Sequence, residues 1–242
     1  VTRRFRIPQL DSAPDSPFPD PARCDHPEGL VAWGGDLSTT RLLNAYRYGI
    51  FPWYEHGSPI LWWSPEPRAV LIPHEWHLPK RLRRTLRQGN FQIRLDSVFD
   101  KVVSGCAGPR HEQTGTWITP AMQQAYQALH RAGHAHSIEV WSEQELIGGL
   151  YGVAIGKLFF AESKFHHRRD ASKIALAVLM RCLESWNFML ADCQIWNPHL
   201  ESLGVHLLDG ESFRAVVKAA IDQQDVVGNW SGRLADVNLS DW

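Results

Sequence analysis

The sequence predicts an α+β protein built on a mixed sheet. Two observations carry that expectation. Early helical segments flank a single strand, and three strand-like segments then follow one another across tight turns before a further helix and strand. A third observation concerns the first 68 residues. Their density of Pro and Trp sets them apart as a small N-terminal domain, residues 1–68, ahead of a larger domain, residues 69–242.

Each element has its own signal. Residues 5–30 are rich in Pro and Asp and read as extended or looped. "WGGDLSTTRLLNAYRYGIFPW" reads as a glycine turn, a helix capped by Ser38 or Thr39 with an apolar stripe at Leu42, Leu43 and Tyr46, and a stop at Gly49. The following "FPWYEHGSPILWWSPEPR" is loop with a short strand at Ile60–Trp62, its prolines fixing φ and holding the indoles on a stiff frame. "HLPKRLRRTLRQGNF" repeats Leu78, Leu82 and Leu86 on one helical face and carries Lys80, Arg81, Arg83, Arg84 and Arg87 on the other. "FQIRLD" alternates as a strand does, "DSVFDKVVSGCAG" is a short helix, and "TPAMQQAYQALHRAGH" is a helix capped by Thr119. "HSIEVW", "ELIGGLYGVAIG" and "KLFFAESKF" read as an antiparallel meander, whose glycines at 148, 149, 152 and 156 suggest bulges or a close approach. "DASKIALAVLMRCLESW" is a buried helix capped by Asp170, "FMLADCQIW" a buried strand, "ESFRAVVKAAID" the last helix, and residues 225–242 a loose tail.

Composition narrows the function classes. With 44% hydrophobic and 21% charged residues, the 242-residue chain can bury an ordinary core. A net charge of −1 means that nucleic-acid contact must come from a local patch. Four scattered cysteines without a CxxC fit reduced thiols in a cytoplasmic protein better than disulfides or a zinc ribbon. The start lacks a signal-peptide core, and "IALAVLM" is too short to span a bilayer. His134 with His136 and His166 with His167 share no metal-site spacing, so no metal is expected. No phosphate loop, dinucleotide fingerprint or nucleophile elbow occurs.

Within "ADCQ", Asp192 and Gln194 lie two apart on the expected strand and so share a face. They are either a structural hydrogen-bond pair or an Asp orienting a Gln that steers a substrate proton. Glu162 ends an aromatic strand, where it could bind a cation or simply pair with an arginine. The basic helix 80–87 is a solvated face or a phosphate-binding one. Trp53 and Trp117, both beside turn residues, are core tryptophans or a stacking platform for a base.

The segments "GLVAWGGDLSTTRLLNAYRYGIFPWY", "PILWWSPEPRAVL", "GTWI", "AHSIEVW", "LIGGLYGVAIG", "ESKF", "ASKIAL", "DCQ" and "SLG" run in order between residues 28 and 204. Together they resemble the leucyl/phenylalanyl-tRNA protein transferases. The resemblance implies a GNAT-like acyltransferase domain that moves leucine, phenylalanine or methionine from tRNA to the α-amine of proteins beginning with Arg or Lys. The product is marked for N-degron degradation. It implies no cofactor. It assigns Asp192 and Gln194 to catalysis, Glu162 to the acceptor, and Trp53 with Trp117 to gripping the terminal adenine. Leu150, Phe159, Lys164, Leu176 and Leu179 would form the aminoacyl pocket, and Lys80, Arg81, Arg83, Arg84 and Arg87 would meet tRNA phosphates. Trp62 and Trp63 are expected to pack the seam between domains. Lys164 stands where the family has a pocket methionine, so either its stem lines the wall and its amine snorkels out, or the preferred amino acid differs. A non-enzymatic RNA- or peptide-binding module and an acyl-CoA acetyltransferase are the rival classes.

Overall fold

The computed structural model describes residues 5–108, 116–239 and 242. Its α+β architecture with a mixed sheet is the one the sequence predicts. In chain order the elements are β1 (Gln9–Leu10), β2 (Leu30–Gly34), α1 (Thr39–Arg47), β3 (Phe51–Pro52), β4 (Leu61–Trp63), β5 (Arg68–Leu71), α2 (Lys80–Gln88), β6 (Gln92–Leu95), α3 (Phe99–Ala107), α4 (Pro120–Arg131), β7 (Ala135–Ser142), β8 (Glu145–Ile155), β9 (Leu158–His166), α5 (Ala171–Ser185), β10 (Leu190–Asp192), α6 (Pro198–Glu201), β11 (His206–Leu208) and α7 (Gly210–Ile221). The first four strands form one sheet, ordered β1-β2-β4-β3, and the other seven a second, ordered β11-β5-β10-β9-β8-β7-β6. In the larger sheet β10 runs parallel to β9 and the other neighbours are antiparallel.

Strand alternation divides the core. Val70, Phe160 and Leu190 point into a cluster with α1, α3, α4 and α7, whereas their chain neighbours Leu71, Phe159 and Ala191 point into one with α2 and α5. Helix boundaries follow local chemistry. Ser38 accepts from Arg41 N at 3.3 Å, Thr119 from Met122 N at 3.2 Å and Asp209 from Ser212 N at 2.8 Å, each satisfying an orphan donor.

Four expectations are corrected. The N-terminal region holds a four-stranded sheet where a single short strand was expected; its strands are two to five residues long and too short to show alternation. Strand β10 stops at Asp192, so the buried strand does not reach Trp196. Asp170 makes no side-chain cap to α5; with φ +64° it turns toward Lys173 and Arg169. The tail is docked: Trp230 is fully buried, stacked on His136 at 3.7 Å and packed edge-on to Trp186, with a 3-10 turn over Ser231–Asp236. Asp96 ties it down, accepting from Trp230 N at 2.8 Å while bonding His136 Nδ1 at 2.8 Å. Burial holds His136 below its usual pKa although the Asp96 bond opposes this.

Trp62 is fully buried, donates to Gly34 O at 2.9 Å and sits edge-on to Phe18, within a core cluster that holds residues of both the N-terminal sheet region and the larger sheet. Trp63 donates to Trp53 O at 2.7 Å and packs on the Trp53 ring at 6.1 Å, fixing the segment that presents Trp53.

Candidate active site

A cavity of about 1330 Å³ opens where β9, α5 and the loop after β10 meet. Glu162 and Gln194 line it with Trp117, Leu150, Lys164, Leu176 and Cys193.

A β-bulge aims Glu162. Tyr151 pairs with Ser163 and Gly152 with Ala161, which leaves Glu162 as the extra residue of β9. Gly152 permits this: a Cβ there would stand 2.2 Å from Phe160 O. The bulged carboxyl meets two buried phenols. Tyr46 from α1 donates to its Oε1 at 2.7 Å, Tyr126 from α4 donates to its Oε2 at 2.6 Å, and the two hydroxyls lie 2.9 Å apart. Burial is the largest influence on Glu162 and lifts its pKa from 4.5 to about 7; the phenol bonds pull the other way, and the Asp192 charge adds to the lift. Between those values the native protein keeps a proton that the unfolded chain releases. The stability this group contributes is therefore present at pH 4.5 and lost as pH rises through about 7. Removing one donor should raise the value further. Tyr126→Phe is expected to move the Glu162 titration above pH 7, read by carboxyl NMR; an unmoved titration would separate the phenol from the carboxyl.

Asp192 is placed differently from the sequence expectation. It is fully buried, and its oxygens take Arg68 Nε at 2.8 Å and Nη2 at 2.7 Å in an ion pair with no exposed side chain. Its Oδ1 also accepts the backbone N–H of Gln194 at 2.8 Å. Asp192 is not on the cavity wall, and the two side chains do not share a strand face, because the chain leaves the strand at Asp192 and Gln194 takes φ +57°. Arg68, like the two phenols on Glu162, is a residue the sequence reading missed. It also donates to Gly49 O at 2.8 Å and lies over the rings of Phe51 and Phe213, 5.0 and 4.5 Å from their centroids. It thereby joins α7 and the segment after α1 to the central strands.

Gln194 is held from both backbone ends, its N–H on Asp192 and its carbonyl on Ala69 N at 3.1 Å. A left-handed glutamine is costly by about 1–3 kcal/mol and persists where surrounding bonds over-determine it. Its amide is satisfied on both atoms when Nε2 donates to Ala161 O at 3.1 Å and Cys193 O at 3.2 Å. The carbonyl oxygen then faces Glu162 Oε1 at 3.4 Å, a contact a protonated Glu162 can bridge. Burial pushes the Cys193 thiol up to about 12, which disfavours the thiolate at this cavity-lining position.

The remaining candidates divide. Leu150, Lys164 and Leu176 line the cavity, while Phe159 and Leu179 belong to the apolar cluster and are not on its wall. Trp117 lines it; Trp53 is 43% exposed and does not. Among the described residues no ring contact joins the two, although their segments meet where Tyr54 Oη lies 3.4 Å from Thr119 Oγ1. Lys80, Arg81, Arg83, Arg84 and Arg87 are exposed on α2 above buried Leu82 and Leu86. Arg81 reaches the cavity and Arg87 donates to Trp242 O at 2.8 Å. Among the described residues no group of three His, Cys, Asp or Glu is placed to hold a metal ion, and no helix is long and apolar enough to cross a membrane.

Two family models match this chain. Leucyl/phenylalanyl-tRNA protein transferase matches residues 70–218, and the N-terminal domain of the same family matches residues 35–66. Among curated relatives, the leucyl/phenylalanyl-tRNA protein transferase of Azotobacter vinelandii is 54% identical over 81% of this chain and 87% of its own length. That of Pseudomonas syringae pv. syringae is 48% identical over 86% of this chain and 90% of its own. That of Xanthomonas euvesicatoria is 48% identical over 96% and 94% respectively.

Proposed function

This chain belongs to the leucyl/phenylalanyl-tRNA protein transferase family, and we infer that it moves leucine or phenylalanine from tRNA to the amino terminus of a protein beginning with Arg or Lys. The larger domain, from about residue 69, is read as a GNAT-like acyltransferase unit, and the N-terminal region as its smaller companion. The observation that carries the reading is a strained, doubly anchored Gln194 beside a carboxyl of raised pKa on one cavity wall.

The aminoacyl ester is already activated. The acceptor nitrogen must be neutral; it attacks the ester carbonyl carbon, the C–N bond forms, and the C–O bond to the ribose breaks. The proton lost by the amine ends on the ribose oxygen. Holding the two reactants in attack geometry can supply about 7–11 kcal/mol. Gln194 is assigned to accepting an N–H bond from the amine through its amide carbonyl. Asp192 touches no substrate in this scheme: it is a positioning residue that fixes the Gln194 backbone, with Arg68 fixing Asp192. Leu150 and Leu176 line the aminoacyl side-chain site, with Phe159 and Leu179 behind the wall and Lys164 at its edge. Trp117, with Trp53 brought to it, would hold the terminal adenine. The outer face of α2 would meet duplex phosphates.

Glu162 is assigned to the cationic side chain of the acceptor. A bound cation favours its ionised form, so the acceptor KM should fall as pH rises through about 7. Glu162→Gln is expected to raise the acceptor KM about tenfold or more, remove the part of that pH dependence that belongs to the carboxyl while keeping the part that comes from deprotonation of the acceptor amine near pH ~8, and leave tRNA binding unchanged. Equal acceptor KM values in steady-state transfer to an Arg-initiated peptide would remove Glu162 from the acceptor site.

A further inference from the structure

Two large apolar side chains follow Gln194 into solvent. Ile195 and Trp196 are 43% and 41% exposed. Ile195 and Asn197 line the cavity, and Trp196 stands between them in the chain. Among the described residues the Trp196 ring has no aromatic neighbour and its indole N–H no acceptor. A tryptophan packed into a core usually has a partner for that N–H, so this one is presented to solvent rather than stored.

Their segment is held at both ends. Before it, the Gln194 backbone is fixed on Asp192 and Ala69. After it, Asn197 caps α6: its side chain accepts from Leu200 N at 2.9 Å and its carbonyl from Glu201 N at 3.0 Å. Leu200 anchors that turn in the core. Two exposed apolar side chains between two fixed points form a ledge, and a ledge already ordered loses little entropy when it binds.

The chemistry of the ledge selects its occupant. Residues 193–198 carry no charge, whereas a phosphate chain needs cations. Ile195 has no flat face for a base to stack on. Apolar side chains of a polypeptide suit both residues. Position agrees with chemistry. An acceptor whose amine bonds the Gln194 carbonyl begins its chain there. An extended chain advances about 3.3 Å per residue, and consecutive Cα atoms of the wall lie about 3.8 Å apart. An acceptor leaving along this wall therefore brings its second and third residues level with Ile195 and Trp196.

We infer that Ile195 and Trp196 hold the residues that follow the acceptor's first, so that this chain prefers a basic N-terminal residue followed by large apolar side chains. That the polypeptide is an acceptor rests on the transfer reading given above; that the ledge takes apolar side chains rests on the ledge itself.

The experiment compares two labelled peptides of equal length and charge, one beginning Arg-Leu-Phe and the other Arg-Gly-Gly, in steady-state transfer and in binding by fluorescence anisotropy. The wild-type protein should favour the apolar peptide in kcat/KM about tenfold, the order that burying one large apolar side chain gives, with the difference in KM and not in kcat. In Ile195→Ser/Trp196→Ser the ratio between the peptides should fall to about one. Trp196→Phe should keep most of it. Because both peptides meet the same variant, a partial loss of folded protein cancels from the ratio. A wild-type ratio near one overturns the inference, as does a ratio that survives the double variant. So does a double variant that raises the KM for aminoacyl-tRNA and leaves the peptide ratio intact, since the ledge would then belong to the carrier. Binding separates the two readings. A wild type that transfers to neither peptide but binds the apolar one more tightly keeps the ledge and loses the transfer reading; one that transfers to both alike keeps the transfer reading and loses the ledge.

Discussion

Arg68→Ala is expected to destabilise the protein by about 3–5 kcal/mol, because it strands Asp192 as an unpaired charge with no solvent access. The same truncation empties the space between Phe51 and Phe213 and orphans Gly49 O, so the N-terminal region should loosen from the central strands. Urea denaturation measures the loss; a change under about 1 kcal/mol would mean that water reaches Asp192. The paired replacement Arg68→Met/Asp192→Leu removes both charges and should recover most of the stability. Transfer should stay low in that variant, since Gln194 N loses the oxygen that anchors it. Stability restored without activity is the signature of a positioning pair.

Gln194→Ala should lower kcat for peptide transfer about 100-fold at saturating tRNA and acceptor, the order of loss that misalignment of reacting groups produces. Thermal stability should barely change, because the anchoring bonds at this residue are made by its backbone. Gln194→Gly sharpens the test. Glycine accepts φ +57° without the cost a side chain bears, so the variant should gain up to about 1 kcal/mol in stability while losing the same activity. Wild-type turnover in either variant would take Gln194 out of the reaction.

Asp192 and Gln194 stood out in the sequence because polar residues interrupt an apolar run, yet their geometry was not legible there. The expected shared face assumed strand period through Gln194; a left-handed backbone broke the period two residues after Asp192. The partner of Asp192 lies 124 residues away, and Tyr46 lies 116 residues from the Glu162 it bonds. Tyr46 read as one more member of the apolar stripe of α1, since a phenol and a leucine look alike to periodicity. The bulge at Glu162 had one trace, the glycine at 152, which suggested a bulge or close approach without saying which residue it would displace.

By itself the sequence determined what is local: the cap at Thr119 and the Ser38–Thr39 start of α1, the two-faced pattern of α2, the meander of β7 to β9 and the set of motifs that marks the family. These depend on residues within a turn or two of one another, where period and hydrogen-bonding geometry act directly. Only the tertiary structure decided that Asp192 is sealed against Arg68, that Glu162 is held by two phenols and that Trp230 closes the core. Each of those is a choice of partner across the chain, fixed by desolvation: a buried charge or donor must find its complement wherever packing brings one, and spacing along the sequence does not record where that is.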